Sequence, residues 1–329
     1  MRLLHSSDIL IGAPFPHAFP KGEELRGARF RVLEALIGRA QNEKAQAVIL
    51  AGNTLADNRL SELELKRVGS ILKSSKVPVY LLPGITDPFT ADSPYRRYPD
   101  LFNSVHILSE ARPVRLEGAT LFPVPIRSRR LGAWPEYSVR VPEDGIRIGV
   151  ACGTEMPPFP DLDYLAMGGR EVAEQGERHA WSGAPEAVHY GQGRGRAYLV
   201  TLSMGAVPNF KSLFVGHYHW NDRELNLRSL DKLREDLAAV KEPDRVLQRL
   251  VLRGALALPE LKEALELLAD FSNKFYHLKV DDHLSVAARP EEHFQEPLLR
   301  NLARAVSAVE NPRSALLELY ELSGALEGG

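Results

Sequence analysis

Four polar residues stand in loops where a metal-dependent reaction could take place. Asp8 follows the first apolar run of the sequence, Asn53 the second and Asp87 the third, and Glu171 follows a later one. Their carboxylate and amide oxygens are ligand types that divalent cations take in proteins. Asp and Asn also cap turns and helix N-termini, so a structural role for the first three residues is the alternative.

Two histidines form a second candidate metal site. Gly216-His217-Tyr218-His219 places two imidazoles two residues apart, and on a strand such residues share a face and could chelate one ion. A strand that leaves the domain fits the same segment, and the spacing is then a coincidence. Cys152 has no His or basic residue beside it, so it is predicted to be a small buried residue rather than a nucleophile.

The first half of the chain predicts a scaffold for these residues. Short apolar runs alternate with amphipathic stretches in the order β-α-β-α-β, which is typical of a buried sheet covered by helices. The segments are Arg2 to His5, Arg29 to Gln41, Ala47 to Leu50, Glu62 to Lys73 and Val77 to Leu82. In open α/β sheets, functional residues collect in loops at the carboxyl ends of strands. Asp8, Asn53 and Asp87 stand in such loops.

Closely spaced strands from Val105 onward predict a second sheet, and a new alternation begins near Leu230. The strands are Val114 to Leu116, Thr120 to Val124, Arg147 to Ala151, Tyr164 to Met167, Ala197 to Leu202, Leu213 to His217 and Glu224 to Leu227. Helices near Leu230 to Val240 and Leu258 to Asn273, with strands near Val246 to Arg253 and Tyr276 to Val280, then predict a small α+β domain. The predicted parts are residues 1–222, 223–290 and a helical tail at 291–329.

Composition limits the classes of function. The 329 residues, 44% of them apolar, are enough for a large core and a second, smaller unit. The 41 Lys and Arg residues and the 43 Asp and Glu residues give a formal net charge of -2, so any DNA contact must be a local positive patch. The single cysteine excludes a disulfide framework and a Cys-rich zinc site. We expect a cytoplasmic protein with no signal peptide and no membrane span.

The loop sequences resemble those of the calcineurin-like metallophosphoesterases, and their flanks look most like the SbcD-type DNA-repair exonucleases, in particular a YhaO-type subgroup. The segments are Ser7 to Gly12, Ala51 to Asp57, Pro83 to Pro88, Gly149 to Gly153 and Asp163 to Glu171. The resemblance implies a four-layer α/β/β/α sandwich of two mixed sheets, followed by a small α+β capping domain and a helical tail. In that family two metal ions clamp the attacking and leaving oxygens of a phosphate ester.

The first two motifs of that family are only partly kept. The D-x-H motif corresponds to Asp8-Ile9-Leu10, so its Asp is retained and its His position is Leu10. The Asp that bridges the two metals in the family corresponds to Asn53, and a downstream acidic position is Ala56. An amide cannot supply the negative charge of a bridging carboxylate.

The later motifs are changed as well. In G-N-H-D, Ile85 replaces the Asn ligand and Thr86 replaces the general-acid His, while Asp87 remains. The lone His falls at Cys152, and G-H-x-H falls at Gly168-Gly169-Arg170-Glu171, where only Glu171 offers a ligand. The resemblance therefore implies no catalytic residue and no cofactor. The degenerate metal-site positions are Asp8, Leu10, Asn53, Ile85, Cys152, Gly169 and Glu171.

Two arginine clusters are candidates for DNA contact. Arg96 and Arg97 lie between two tyrosines, and a second cluster follows a strand, with Trp134 nearby. Positive charge grips phosphates, and aromatic rings stack on bases. The alternative is that both clusters are solvated loops. The members of the second cluster are Arg127, Arg129 and Arg130.

The C-terminal third carries a weaker likeness to the same family. It implies a homodimer and a helical region that docks on an SbcC-like, SMC-type ATPase. Pro297 to Val306 and Ala315 to Leu322 have apolar residues at helical spacing, which suits a partner-binding helix pair. Packing on the chain's own body is the alternative.

Three functional hypotheses follow. The first is a catalytically degenerate SbcD-like subunit that binds double-stranded DNA ends or acts as a scaffold beside an SbcC-like ATPase in DNA repair or processing. The second is an active metal-dependent DNA exonuclease or phosphoesterase with two Mn ions in a rearranged site. That site would use Asp8, Asp87 and Glu171, with His217 and His219 as further candidates. The third is a self-contained homodimer with a structural role.

Overall fold

The computed structural model describes residues 1–15, 21–128, 145–159, 161–287, 289–309 and 312–327. The chain divides into two compact units, Met1–His219 and Trp220–Gly329. The first unit contains every candidate metal and DNA-contact position that the structure describes. The α+β segment and the helical tail, predicted as separate parts, together make up the second unit.

The strands of the first unit form two mixed sheets. They are β1 (Arg2–Ser6), β2 (Ala47–Ala51), β3 (Val79–Leu82), β4 (His106–Ile107), β5 (Val114–Leu116), β6 (Ala119–Val124), β7 (Ile146–Cys152), β8 (Tyr164–Gly168), β9 (Glu174–Gln175), β10 (His179–Trp181), β11 (Gly193–Thr201) and the part of β12 (Asn209–Leu227) that ends at His219. The first sheet has the order β12-β11-β1-β2-β3-β4 within this unit, and the second β5-β6-β7-β8-β10-β9. β1 to β4 are parallel and β11 is antiparallel. The prediction of two mixed sheets is confirmed.

The first sheet is covered by helices on one face and by the second sheet on the other. The helices are α1 (Gly22–Asn42) and α2 (Glu62–Lys73), and α2 begins at a capping box in which Ser61 and Glu64 satisfy each other's backbone N–H groups. Val48 and Leu50 pack against the helices, while Ile49 between them packs against the second sheet. Both faces of these strands are therefore buried, which explains their continuous apolar sequence.

Three layers of the predicted sandwich are formed by described residues: helices, first sheet and second sheet. The short helix α3 (Pro94–Arg97) packs on the same face of the first sheet through Tyr95. All described helices of this unit thus lie on the first sheet. Residues 129–144, which follow β6, lie outside the described residues.

β12 corrects one sequence prediction. The predicted strands Leu213 to His217 and Glu224 to Leu227 are parts of one strand of 19 residues. Leu213 and Val215 are buried, but the next buried large side chain is Tyr218, so the inward-facing side chains change parity near Gly216. Such a shift is typical of a β-bulge. Because it interrupts the strict alternation of buried and exposed residues, the sequence pattern predicts two short strands instead of one long strand.

The second unit has its own core. Its elements are α4 (Asp231–Ala238), β13 (Val246–Leu256), α5 (Leu258–Ser272), β14 (His277–Val286), α6 (Pro297–Ser307) and α7 (Arg313–Glu327). β13 and β14 are parallel, with α5 as their connection, and leucines of α4, β13 and α5 form the core. α6 and α7 pack around Leu258 and Phe294. None of the described helices is both long and apolar enough to cross a bilayer.

Candidate functional site

The loops that follow β1 and β2 run side by side. The backbone N–H groups of Asp8 and Leu10 donate to the carbonyl oxygens of Gly52 and Asn53, each at 3.0 Å. Asp8, Leu10 and Asn53 have left-handed φ angles of 53°, 54° and 54°. Asp and Asn tolerate this conformation, whereas it is unfavourable for Leu. These bonds hold three predicted site positions together at the carboxyl edge of the first sheet.

Asp8 is surrounded by hydrogen-bond donors. The Ser7 hydroxyl donates to Oδ2 at 2.6 Å, and the Asn53 side-chain amide donates to Oδ1 at 2.7 Å. The backbone N–H of Gly169 lies 2.9 and 3.2 Å from the two oxygens. Burial raises the pKa of Asp8 to about 6 despite these donors, and the charge of Glu171 adds to the rise. Both Asp8 oxygens are thus occupied by groups of the chain itself.

Asn53 extends this arrangement to the third loop. Its Oδ1 accepts a hydrogen bond from the backbone N–H of Thr86 at 3.0 Å. The Thr86 hydroxyl lies 3.2 Å from the same oxygen but only 2.6 Å from the carbonyl oxygen of Leu55, which it prefers as acceptor. Asp8, Asn53 and Thr86 therefore form a continuous hydrogen-bonded chain, called the Asp8–Asn53–Thr86 chain below.

Asp87 ties three segments together instead of facing Asp8. Its Oδ1 accepts from the backbone N–H of Gly84 at 2.8 Å, and its Oδ2 accepts from the N–H of Leu55 at 3.0 Å and from the Tyr95 hydroxyl at 2.6 Å. Burial raises the pKa of Asp87 above its usual range. The residue thus fixes α3 and two loops, as expected of a turn-capping residue.

Close packing fills two more of the degenerate positions. Cys152 is fully buried, and burial raises the pKa of its thiol well above the usual range, which disfavours the reactive thiolate. Gly52 has a φ of 94°, and a Cβ placed on it would lie 2.6 Å from the Cys152 sulfur. Ile85 is half-buried and packs on the same core.

Glu171 lies near Asp8 but has its own partners. His189 Nε2 lies 3.2 Å from Glu171 Oε2, and the Gln192 amide donates to the same oxygen at 3.4 Å. The effect of the Glu171 charge on the pKa of Asp8 places the two carboxylates in each other's field.

His217 and His219 share the less buried face of β12, with Tyr218 buried between them. The Glu186 carboxylate accepts the backbone N–H groups of His217 at 2.6 Å and Tyr218 at 3.1 Å, which closes the bulge. Burial raises the pKa of Glu186 to about 7. Across residues 1–15, 21–128, 145–159 and the later described segments, no three His, Cys, Asp or Glu side chains group as metal ligands would.

Sequence reasoning missed Arg29, Ser182 and Glu186. Arg29 is fully buried, and its Nη1 donates to the carbonyl oxygen of Ile9 in the first loop. The sequence does mark Arg29, because this charged residue interrupts the apolar face of α1. Ser182 hydrogen-bonds Ser7 at 2.8 Å. Ser182 and Glu186 stand in an irregular loop with no pattern to mark them.

The first arginine cluster is held on a fixed support. Tyr95 anchors α3 to Asp87, while Arg96 and Arg97 are exposed. The Arg96 guanidinium lies 5.5 Å from the Phe89 ring centroid, and that of Arg97 lies 5.3 Å from the Tyr98 ring centroid. In the second cluster Arg127 is exposed. The other candidates there, Arg129, Arg130 and Trp134, lie outside the described residues.

A pair of Mn ions does not fit this donor set. A metal at Asp8 would have to displace the Ser7, Asn53 or Gly169 donor, and an amide N–H₂ group faces Asp8 where a second carboxylate would be needed. Thr86 cannot replace an imidazole as a general acid, because its hydroxyl does not ionise near neutral pH. The expectation that no cofactor is required remains a prediction.

Two mixed sheets packed face to face, with polar loops at the carboxyl ends of β1, β2, β3 and β8, define an α/β sandwich, which is the arrangement that the resemblance to metallophosphoesterases implies. The chain is similar to the protein TT1561 of Thermus thermophilus, with 11% identity, a TM-score of 0.41, and coverage of 65% of this chain and 98% of that one. It is also similar to Yfce, a phosphoesterase from E. coli, with 16% identity, a TM-score of 0.31, and coverage of 65% and 100%. No family model and no curated protein match the chain.

Proposed function

We propose that this chain is a non-catalytic, SbcD-like subunit of metallophosphoesterase fold that binds double-stranded DNA ends or serves as a scaffold beside an SbcC-like, SMC-type ATPase. The observation that carries the proposal is the Asp8–Asn53–Thr86 chain. It satisfies, with side chains and backbone alone, the polar groups at positions where the resembled family holds two metals.

The chemistry of residue 53 supports this proposal most directly. A carboxylate there would face Asp8 at close range, and the repulsion would have to be relieved by a bound cation or by a proton that the two carboxylates share. An amide instead donates to Asp8 at 2.7 Å and accepts from Thr86 at 3.0 Å. The site is therefore stable in the absence of metal, which suits a binding role better than a hydrolytic one.

The test combines metal binding with a nuclease assay. Titration of the purified full chain with MnCl₂ in a calorimeter is expected to show no binding of two ions, and linear duplex DNA is expected to stay intact with or without EDTA. Tight binding of two ions together with EDTA-sensitive cleavage would overturn the proposal. That outcome would favour the active nuclease, for which the supporting observation is that Glu171 stands two residues after Gly169, whose N–H lies 2.9 Å from Asp8 Oδ2.

DNA binding is proposed to use Arg96 and Arg97 on α3. Their exposed guanidinium groups beside two aromatic rings can neutralise phosphates without reading sequence. The double variant Arg96→Gln/Arg97→Gln should weaken duplex binding equally for different sequences and reduce the slope of log K against log salt by about two. Arg115→Gln, on the exposed side of β5, is the matched control. Equal affinities of the double variant and the control would exclude this surface.

The partner is proposed to dock on the second unit. Leu298 and Leu302 of α6 are 77% and 47% exposed, so this helix presents an apolar stripe that its own core does not use. Leu298→Glu/Leu302→Glu should abolish co-purification with an SbcC-like ATPase. Sedimentation of the same variant tests the predicted homodimer, since a shift from dimer to monomer would assign the stripe to a second copy.

A further inference from the structure

A small cavity of about 60 Å³ lies beside the Asp8–Asn53–Thr86 chain. Its lining includes Glu171, Ser182, Gln192, Arg194 and Arg196, and Val172 with small Gly and Ala residues completes it. The Ser182 hydroxyl lies 2.8 Å from that of Ser7, which donates to Asp8. The cavity is thus separated from Asp8 by two hydroxyl groups.

The two arginines give the cavity its positive charge. Arg194 and Arg196 are two residues apart on β11, so their side chains share one face of the strand. Neither takes part in any of the ion pairs formed within the described part of the chain. The one carboxylate in the lining, Glu171, is engaged with His189 and Gln192. Two guanidinium charges against one carboxylate leave an excess of one positive charge.

The polar groups around the cavity are held in place. Arg194 Nε donates to the carbonyl oxygen of Gly216 at 2.9 Å, which leaves its two terminal nitrogens for a ligand. The Arg196 guanidinium lies 5.3 Å from the centroid of the Phe214 ring. Gln192 Oε1 accepts the backbone N–H of Val188 at 2.7 Å, and its amide nitrogen donates to Glu171 Oε2 at 3.4 Å. Groups fixed in this way lose little entropy when a ligand binds.

We propose that this Arg194–Arg196 cavity binds a small oxyanion of the phosphate class. Guanidinium groups bind phosphate oxygens through paired N–H donors, and the cavity volume of about 60 Å³ exceeds what a single water needs. The site shares Glu171 with the predicted metal positions, but it contains none of the other positions and none of the exposed α3 arginines. It also requires no metal and no hydrolysis, so it goes beyond the proposed scaffold role.

Inorganic phosphate is the first probe. Titration of the full chain, followed by ³¹P NMR or calorimetry, is expected to show binding with a Kd on the order of 1 mM or tighter. Arg194→Gln and Arg196→Gln should each weaken binding by about tenfold or more, and Arg196→Lys should lose less because it keeps the charge. Arg115→Gln is the control and should bind as the wild type does. Thermal melting confirms that each variant is folded.

A second pair of probes identifies the source of the phosphate group. Duplex DNA with 5′-phosphate ends is compared with the same duplex with 5′-hydroxyl ends, in the wild type and in Arg196→Gln. A preference for the phosphorylated duplex that Arg196→Gln removes assigns a DNA end to the cavity, while equal DNA binding with phosphate binding retained assigns the free ion. Absence of phosphate binding by the wild type, or the same loss in Arg115→Gln as in the cavity variants, overturns the proposal.

Discussion

Asn53→Asp is the substitution that tests the account of the site most sharply. It replaces the amide nitrogen that lies 2.7 Å from Asp8 with an oxygen and keeps the oxygen that accepts from Thr86. The size and shape of the side chain barely change. Any effect therefore comes from the lost hydrogen and the added charge.

The magnitude follows from the burial of Asp8. A hydrogen bond to a charged group contributes about 1.5–3 kcal/mol, and its loss leaves a buried carboxylate facing another one. Two adjacent carboxylates can share one proton. Keeping this proton bound at a pH above the usual carboxyl pKa lowers the free energy of unfolding by about 1.4 kcal/mol for each pH unit. Since burial already raises the pKa of Asp8 to about 6, we expect a loss of about 3 kcal/mol at pH 8 and about 1 kcal/mol at pH 5.

The assay must report on the first unit alone, because a chain with two units need not unfold in one step. Hydrogen–deuterium exchange of peptides from β1 and β2, measured in increasing urea with EDTA at both pH values, gives that free energy. Asn103→Asp, at an exposed position, is the matched control and should change stability by less than about 0.5 kcal/mol. A loss that is the same at pH 5 and pH 8 would refute the carboxylate-pair argument.

Three further substitutions test neighbouring features. Burial raises the pKa of Glu186 to about 7, above its value in the unfolded chain, so the free energy of unfolding of the wild type should fall by up to about 3 kcal/mol as pH rises from 4.5 to 7. In urea denaturation, Glu186→Gln should show a weaker dependence of this free energy on pH, and the same pH dependence in both proteins would contradict the argument. Asp87→Asn, which disturbs the three hydrogen bonds that Asp87 accepts, should cost about 2–4 kcal/mol and speed exchange of the α3 amides. Gly52→Ala combines a φ of 94° with a distance of 2.6 Å from the new Cβ to Cys152, whereas Gly118→Ala has a φ of 76° and no atom near the new Cβ. The melting temperature should fall far more for Gly52→Ala, because only this variant adds a clash to the backbone strain. Equal decreases would show that the clash is relieved.

Much of the fold could be predicted from the sequence because burial requires simple patterns of apolar residues. A strand covered on both faces needs apolar residues throughout, so β2 and its neighbours were identified with their order. The length of β12 could not be found this way, because its alternation shifts where Glu186 takes two consecutive N–H groups. A carboxylate distant in sequence determines that shift.

The sequence names candidate site positions, but it does not indicate the contacts among them. The resemblance located Asp8, Asn53 and Thr86, and the hydrogen bonds among them follow once the loops meet. Arg194 and Arg196 had no motif to mark them, because their importance depends on a cavity formed by several loops. Sequence patterns report which residues face a common core, but they contain little information about which polar groups from separate loops converge.

The turns at Asp8 and Leu10 are held by main-chain hydrogen bonds, so the type of side chain at residue 10 has little influence on their shape. Leu10 keeps a left-handed φ of 54°, a conformation that costs a Leu roughly 1–2 kcal/mol. Backbone hydrogen bonds from Asp8 and Leu10 to Gly52 and Asn53, at 3.0 Å, provide the compensation. Since main-chain groups hold these turns, a residue such as Leu10 can occupy a position that the resembled family gives to a ligand. The side chains of Asp8, Asn53 and Thr86 are then free to form the Asp8–Asn53–Thr86 chain at the same edge of the sheet.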